Sequence, residues 1–347
     1  MFDEYIGIDL HKAFFQACSV RPTGERVWEA RFATDEPGIA AFLARCSGPS
    51  AVAIEASSPT WAFADQLQAR LAQVQVIDPR KTRLRSGVAA KTDRLDARRL
   101  ADALRRDSVV PVYYPPPALR DLRELCRHRG SLVRMRVTLK QRIHAVLVRH
   151  GVHPPPVSDL FGRRGRAWLA TAPLTGWARS ACAGYQQLLA AVDADIAPLE
   201  TAITAVAHTD PIVRALDRLP GIGAILGVMI RAEIGDIRRF AHPAQVASYA
   251  GLVPRVIQSG AIRRTGRITR EGAPWLRWAL VEAATHASRR HDRTGTWVRR
   301  LAVQKGFGKA RIAAARRLAE EVHDVWRQPL SAPAVEDYMP ACAAFRE

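Results

Sequence analysis

Two aspartates stand three residues apart in a strongly basic segment, KTDRLDARRL, which spans residues 91–100. In a helix, Asp93 and Asp96 face the same side, because residues at i and i+3 are neighbours on the helix surface. Such pairs are usually solvated and neutralised by nearby cations, here Arg94, Arg98 and Arg99. They become a candidate metal site only if further acidic side chains meet them.

Two further carboxylates stand at the ends of predicted strands. Asp9 ends the first strand in YIGIDL, and Glu55 ends the fourth in VAIEAS. If these strands are neighbours, both side chains emerge at one edge of the sheet, and the helix bearing Asp93 and Asp96 can pack across that edge. Four converging carboxylates repel one another unless cations neutralise them, and their oxygens suit Mg²⁺ or Mn²⁺. We therefore interpret them as ligands of the paired ions that assist phosphoryl transfer.

The elements that must position these side chains alternate in a recognisable order. The segments YIGID, FFQACSV and RVWEARF predict three successive strands, and PGIAAFLARC predicts a helix opened by Pro37 and Gly38. A strand (SAVAIEA), a helix (WAFADQLQARLA), a strand (VQVID) and a helix after Pro79 follow. The order βββαβαβα is the ribonuclease H arrangement, a mixed five-stranded sheet flanked by helices. We assign this catalytic domain to residues 1–112.

A linker and a long helical arm are predicted for residues 113–209. Three prolines at 115–117 mark the boundary, and a basic helix from Arg120 to Val148 follows. A second helix, from Ala181 to His208, could run back along the first. The pattern indicates either a loose coiled coil with arginine in the seam or a surface helix that packs one apolar stripe. Apolar residues recur every seven positions in the first helix, at Leu125, Leu132, Leu139 and Val146.

The remaining chain predicts a compact, basic, helical domain at residues 210–330, followed by a tail at 331–347. Its segment LPGIGAILG has the pattern of a helix-hairpin-helix, with one helix ending at Leu219. Backbone N–H groups at Gly221 and Gly223 would suit a phosphate, although an αα-hairpin that merely packs fits the pattern equally well. Between Gly251 and Arg317, 16 basic residues stand against three acidic ones.

The composition restricts the partner and the compartment. The 347 residues carry a formal charge of +19, which points to a polyanion and most economically to nucleic acid, with a membrane surface the weaker choice. No apolar run reaches the length of a transmembrane helix, and the N-terminus is unlike a secretory presequence, so we expect a cytosolic protein. Five scattered cysteines indicate neither a disulfide framework nor a zinc site, and we expect buried, reduced thiols.

These motifs together resemble one family. The segments IGIDLHK, IEAS and KTDRLDA, followed by LPGIGAILGVMIRAEIGD and FAHPAQVASYAGLVPRVIQSGAIRRTGRITREGAPWLRWALVEAA, closely resemble the DEDD transposases of insertion sequences, which are related to the Piv invertase. The resemblance runs from about Tyr5 to Trp326. It implies a RuvC-like N-terminal domain, divalent metal ions held by the four carboxylates, and a second domain that bears a catalytic serine.

The resemblance places that serine at Ser259, in VIQSGAIRR. From the residues alone this glycine-rich stretch predicts an exposed loop, and a serine there is usually just polar. The resemblance implies that Ser259 attacks a DNA phosphodiester, leaving a phosphoserine link and a free 3′-hydroxyl. It also implies donor and target DNA, a structured guide RNA that bridges them, and a bacterial protein associated with the nucleoid when active. Because several strands are exchanged, we expect a homodimer or a homotetramer.

Phosphate contacts are predicted at basic residues and at the glycine turn. His11 and Lys12 directly follow Asp9 and could reach the scissile phosphate, although a histidine at a strand end is more often a packing residue. The predicted nucleic-acid contacts are Lys12, Lys91, Arg94, Gly221, Gly223, Arg255, Arg263, Arg264, Arg267 and Arg270.

Two other functions remain open at this point. A junction-resolving nuclease would use the four carboxylates to activate water, and its C-terminal domain would only bind DNA. A non-catalytic nucleic-acid-binding protein would use the same carboxylates in salt bridges. The role of Ser259 separates a recombinase from the nuclease, and metal binding separates both from the third function.

Overall fold

The chain folds into two units, Met1–Pro115 and Pro116–Glu347. The computed structural model describes residues 2–57, 59–78, 82, 92–259 and 262–328. The predicted subdivision into residues 1–112, 113–209, 210–330 and 331–347 stays a prediction, and its last segment lies outside the described residues. In the described part of the chain, no helix is long and apolar enough to cross a membrane.

A mixed five-stranded sheet forms the centre of the first unit. The strand order is β3-β2-β1-β4-β5, in which β1 runs antiparallel to β2 and parallel to β4. This confirms the predicted mixed sheet and the adjacency of the first and fourth strands. The strands are β1 (Glu4–Leu10), β2 (Phe14–Val20), β3 (Arg26–Ala33), β4 (Ser50–Glu55) and β5 (Gln73–Ile77).

Helices cover both faces of this sheet. On one face, the helices α1 (Glu36–Leu43) and α2 (Thr60–Gln68) bury a core that includes Ile6, Ile8 and Phe42. The opposite face is covered by the helix α3 (Asp93–Arg105), whose Leu100 packs on alanines of β4. Because side chains alternate along a strand, the odd-numbered residues of β1 belong to the α3 face.

Gly7 lets α3 lie directly against β1. A Cβ atom at this position would stand 2.1 Å from the carbonyl oxygen of Ala97 and 2.3 Å from the backbone nitrogen of Ala101. Any side chain at position 7 would therefore force the helix away from the strand. Since Asp9 follows two residues later on the same face, this close approach also sets the separation between Asp9 and the start of α3.

Two long helices of the second unit pack against each other. They are α4 (Pro117–Arg149) and α6 (Gly176–Thr209), with the short α5 (Arg163–Thr171) between them in sequence. Ion pairs join Arg129 to Glu200 and Arg136 to Asp193, which shows that the helices run antiparallel. Arginines of the predicted seam thus meet carboxylates of the partner helix. Whether this pair is a coiled-coil arm stays a prediction.

A larger core joins the later helices of this unit, and it also includes Cys126 of α4 and Ile203 of α6. Short 3₁₀ turns lie at Ile237–Arg239 and Ala284–Arg289. The elements are α7 (Pro211–Leu216), α8 (Ala224–Ile234), α9 (Pro243–Tyr249), β6 (Pro254–Ser259), β7 (Ile262–Ile268), α10 (Pro274–Ala283), α11 (Arg293–Lys305) and α12 (Phe307–Arg327).

The structure differs from the sequence predictions at the Ser259 stretch and at the end of one helix. The stretch around Ser259 is not a loop: β6 and β7 form an antiparallel hairpin in which Ser259 pairs with Ile262. The helix predicted to end at Leu219 ends at Leu216. Four of the five cysteines lie in the described part, and all four are free thiols; burial raises the pKa of Cys18 to about 11 and that of Cys46 to about 12. Cys342 lies outside the described residues.

Candidate active site

A cluster of acidic side chains and one histidine lies at the end of β1. The Nε2 atom of His11 is 3.3 Å from Oδ2 of Asp9 and 3.5 Å from Oδ2 of Asp93. One potential metal-binding atom from each residue lies within 4.8 Å of the other two. The predicted meeting of the β1 carboxylate with the α3 carboxylates is therefore present in the structure for Asp9 and Asp93.

The first turn of α3 also carries the second aspartate of the pair, Asp96. Thr92 caps the helix by accepting a hydrogen bond from the N–H of Leu95, so Asp93 and Asp96 both lie in the first turn. The positive end of the helix dipole favours carboxylates there. Oδ1 of Asp96 also forms an ion pair with Nη1 of Arg99 at 3.4 Å. Its negative charge still reaches Asp9, because it contributes to the raised pKa of that group.

Glu55 reaches this edge of the sheet from β4. Ile8 of β1 is paired with Ile54 of β4, so Asp9 and Glu55 come next along two adjacent parallel strands. Ala51 and Ala53, which precede Glu55 at alternate positions, pack on the α3 side of the sheet. Glu55 therefore occupies a register position on the same face as Asp9.

The pKa of Asp9 lies above its ordinary value. Desolvation by burial is the largest cause, and the negative charges of Asp93 and Asp96 raise the pKa further. His11 opposes this shift through its charge and its contact with the carboxylate. A half-buried carboxylate among other carboxylates is destabilised in its charged form unless a cation binds it. The donor set of carboxylate oxygens and one imidazole fits a divalent ion such as Mg²⁺ or Mn²⁺.

His11 is the member of this cluster whose role the sequence left undecided. Its ring stacks on the ring of Phe14, with 4.5 Å between the two centroids. The guanidinium carbon of Arg31 lies 3.4 Å from the centroid of the same Phe14 ring. This stack fixes the imidazole so that Nε2 points at two carboxylates. The spacing Asp9-x-His11 at a strand end was the available signal, because residues two apart on a strand leave the same face.

The basic residues predicted near the carboxylates are found in different settings. Lys12 is exposed. Nε of Arg94 lies 3.4 Å from Oε1 of Glu29 on β3, although the Arg94 side chain is largely exposed. Lys91 lies outside the described residues. Phosphate contacts by these three residues stay predictions.

In the second unit, the predicted residues lie on the hairpin and at the glycine turn. The structure gives the backbone of Ser259, Arg263 and Arg264 as strand, and it describes the side chains of Arg255, Arg267 and Arg270 as exposed. Their predicted roles stay predictions.

Gly221 has a φ of +91°, and Gly223 is the N-cap of α8. Beside Gly221 lies a cavity lined in part by His286, Arg289 and Arg290. A basic cavity next to a helix start is suited to an anion. Whether this turn is a helix-hairpin-helix that binds phosphate stays a prediction.

The close approach at Gly7 leads to a prediction. Gly7→Ala should lower the free energy of unfolding by about 1–3 kcal/mol, because α3 must shift to admit the methyl group. A displacement of about 1 Å between Asp9 and Asp93 should lower strand cleavage roughly 100-fold. Thermal unfolding and a cleavage assay measure the two effects.

Gly184→Ala is the matched control for this change. It lies within α6, where a Cβ atom meets nothing within 4 Å, and it should leave cleavage unchanged. Full cleavage by Gly7→Ala would contradict the view that this contact positions the carboxylates.

Comparison with known proteins identifies relatives across most of the chain. A family model for DEDD transposases of IS110, described as a transposase, matches residues 6–152. A second model, described as transposase of the IS116/IS110/IS902 family, matches residues 213–298. The first range contains Asp9, Glu55, Asp93 and Asp96, and the second contains Ser259.

Individual relatives carry the same description. The chain is 25% identical over 325 residues to the transposase for insertion sequence element IS1111A of Coxiella burnetii, covering 90% of this chain and 87% of the relative. It is 28% identical over 330 residues to a probable family 20 transposase of Pseudomonas aeruginosa, covering 90% of this chain and 94% of the relative. A putative transposase of Sinorhizobium fredii is 31% identical over 210 residues, covering 60% and 51%. With two family models that together span most of the chain and relatives that align along nearly all of it, the chain belongs to the DEDD transposase family of insertion sequences.

Proposed function

We propose that this insertion-sequence transposase cuts and rejoins DNA strands with divalent metal ions held by its carboxylates and with Ser259 as the nucleophile. The observation that carries the metal part is the convergence of Asp9, His11 and Asp93 at one edge of a ribonuclease H-like sheet. The family membership supplies the DNA substrate, and Ser259 lies within the second family match.

The first unit would hold the metal ions. Asp9, Asp93 and Asp96 offer oxygen ligands, Glu55 offers another from the neighbouring strand, and His11 offers an imidazole nitrogen. When bound, a divalent ion withdraws negative charge from the reacting phosphate. The protein's own residues fix the ligands: Gly7 sets the strand-to-helix distance, and Phe14 orients the histidine.

The second unit would supply the nucleophile. The Oγ atom of Ser259 attacks the phosphorus of a DNA phosphodiester and loses its proton, while the 3′-oxygen leaves and takes up a proton. The new bond joins serine to the 5′-phosphate, so the bond energy is kept for rejoining. A second strand's 3′-hydroxyl then reverses the step with a new partner. The proposal requires the Ser259 hairpin and the carboxylates to act on the same phosphodiester, within one chain or between subunits.

A guide RNA would choose the sequences that are joined. The charge of +19 suits a protein that grips several backbones at once, and base pairing would then carry the specificity. RNA transcribed from the end of the element should bind more tightly than an RNA of the same length and scrambled sequence. Equal affinity for both would remove the guide from the proposal.

Self-association would bring enough active sites together. The antiparallel helices α4 and α6 leave Trp177 and Val148 highly exposed near the ends that α5 connects. We propose that this part of the chain helps to build a homodimer or homotetramer on DNA. Sedimentation of the DNA complex measures it, and a single protomer bound to both DNA partners would argue against it.

A junction-resolving nuclease is the second candidate, and the same carboxylate cluster favours it. Its metal ions would activate water, and Ser259 would have no chemical role. The two functions differ in their products, because water leaves free 5′-phosphate ends whereas serine leaves a protein–DNA adduct. Trapping the reaction on denaturing gels separates them.

Removal of divalent metal is the first test of the proposed site. EDTA should abolish strand cleavage, and added Mg²⁺ or Mn²⁺ should restore it. His11→Ala should weaken the binding of Mn²⁺ more than that of Mg²⁺, because imidazole is the better ligand for Mn²⁺. Calorimetry with each ion measures the affinities without relying on activity.

His208→Ala, in the last turn of α6, is the control for that substitution. Cleavage that persists in EDTA, or equal metal affinity in His11→Ala and the wild type, would contradict this ligand set.

A further inference from the structure

A concave site lined by three arginines lies at the base of the hairpin that carries Ser259. The cavity has a volume of about 220 Å³, and its walls are Arg255, Arg267, Ile268 and Arg270. Three positively charged side chains that line one hollow repel one another. Such an arrangement is favourable when an anion sits between them.

The pairing of β6 with β7 brings two of these side chains together, beside an irregularity in the hairpin. Pro254 pairs with Ile268 and Val256 pairs with Thr265, so Arg255 alone stands opposite the two residues Gly266 and Arg267. Two residues facing one make a β-bulge, which bends the strand and redirects side chains. Arg255 and Arg267 are therefore cross-strand neighbours on one face of the hairpin, and both line the hollow.

The third arginine is held in an unusual backbone conformation. Arg270 has a φ of +56°, a region that residues other than glycine rarely adopt. Its N–H donates to the carbonyl oxygen of Gly251 at 3.3 Å, which ties this turn to the end of α9. Glycine would meet that backbone demand without strain, so the presence of arginine here points to a use for its side chain.

Nearby carboxylates do little to neutralise the three groups. Among the side chains that the structure describes, the one carboxylate within salt-bridge distance is Glu271, whose Oε1 lies 4.0 Å from Nη2 of Arg255. Both partners are mostly exposed, so this contact is weak. A fourth guanidinium, that of Arg277, lies close behind: burial and then the charge of Arg270 lower its pKa.

We propose that this hollow binds one backbone phosphate of the DNA strand that Ser259 attacks. The inference rests on the proposed function of Ser259. Arg255 lies four residues before Ser259 on β6, a separation of about 13 Å along a strand. The bound phosphate is thus a few nucleotides from the scissile one, and it holds the strand in register over the serine. The planar guanidinium group of an arginine can donate two parallel hydrogen bonds to the oxygens of a phosphodiester.

A scan with uncharged linkages tests the site. Ser259→Ala protein is bound to a duplex from the junction between element and flanking DNA, in which methylphosphonate replaces one phosphate at a time. We expect one position, a few nucleotides from the cut, to lower the affinity roughly ten- to a hundredfold. In protein that carries both Ser259→Ala and Arg270→Gly, the methylphosphonate at that position should no longer lower the affinity. The slope of log affinity against log salt concentration should fall by about 1.

Neither arginine variant should unfold the hairpin. Arg270→Gly suits a φ of +56° and should unfold at the same temperature as the parent protein or above it. Arg267→Ala is the second variant. Arg238→Ala removes the same charge from an exposed arginine that pairs with Asp236, and the linkage scan should remain unchanged in it.

Three results would overturn the site. The affinity could fall evenly at every substituted linkage, or a position-specific loss could persist in both Arg270→Gly and Arg267→Ala. The third is a position-specific loss when the same linkages are substituted in RNA, with none in DNA. If every linkage has the same effect but the wild-type protein still forms the Ser259 adduct, only the phosphate site in the hollow is rejected. A position-specific scan without any adduct would remove the nucleophile and keep the phosphate site.

Discussion

Asp9→Asn is expected to lower strand cleavage about a thousandfold and yet to raise the thermal stability of the metal-free protein. The loss of activity follows because an amide carries no charge to hold a divalent ion, whose contribution to the transition state is several kcal/mol. The same reasoning applies to Glu55→Gln, Asp93→Asn and Asp96→Asn. DNA binding should persist in each variant, because the basic surfaces are unchanged.

The gain in stability follows from the raised pKa of Asp9. Because burial and the neighbouring carboxylates raise the folded-state pKa, the folded protein binds the proton more readily than the unfolded chain does. The contribution of Asp9 to stability is therefore fully present in acid and is lost as the pH rises through the folded-state pKa. Asparagine has no charge to bury, so the stability advantage of the variant should be larger at pH 7 than at pH 4.

Thermal unfolding in EDTA at both pH values, together with a cleavage assay in Mg²⁺, measures the two effects. Asp107→Asn is the matched control, because this exposed aspartate has a φ of +50° that asparagine also tolerates. It should change neither quantity. Near-normal cleavage by Asp9→Asn would contradict the role of Asp9 as a metal ligand. A loss of stability at pH 7 would contradict the view that its charge destabilises the metal-free protein.

The sheet could be predicted because its signals are local. Apolar runs such as FFQACSV and SAVAIEA coincide with β2 and β4 almost residue by residue. The order βββαβαβα then restricts the topology enough to place β1 beside β4, as observed. From that adjacency, the position of Asp9 and Glu55 at one edge followed without any knowledge of side-chain contacts.

The geometry of the site could not be predicted in the same way. Gly7 is one more small residue in an apolar run until α3 is found 2.1 Å from the place where its Cβ would lie. His11 appears as an ordinary strand-end residue until Phe14 and Arg31 are seen to orient it. Both roles depend on contacts between residues distant in sequence or on opposite sides of a turn, and a linear pattern does not contain them.

The hairpin around Ser259 was misread for a different reason. Its glycines and arginines indicated a loop, and they concealed the β-branched residues that recur through β6 and β7. Arg263, Arg264 and Arg267 lie on β7 among these β-branched residues, so the basic residues and the strand pattern occupy the same segment. The correction bears on function, because a hairpin holds Ser259 and the arginine-lined hollow in a defined register.

Ser259→Ala should abolish the covalent adduct and strand exchange while metal binding and DNA affinity remain near normal. The hairpin is held by backbone pairing, as between Ser259 and Ile262, and removal of one hydroxyl group leaves those hydrogen bonds in place. The first unit keeps all its carboxylates, so calorimetry with Mn²⁺ should give the wild-type affinity. A loss of activity at unchanged stability and metal affinity would then be a loss of the attacking atom.

Trapping with substrate DNA provides the decisive measurement. The wild-type protein should form a denaturation-resistant protein–DNA species whose peptide map contains Ser259, and the other end of the cut strand should carry a free 3′-hydroxyl. Ser248→Ala, an exposed serine of α9, is the control and should form the adduct normally. If Ser259→Ala still cuts DNA and leaves free 5′-phosphate ends, water is the nucleophile. The chain would then use its carboxylates as a nuclease does, and the rejoining of strands would need a 3′-hydroxyl to attack without a stored phosphoserine bond.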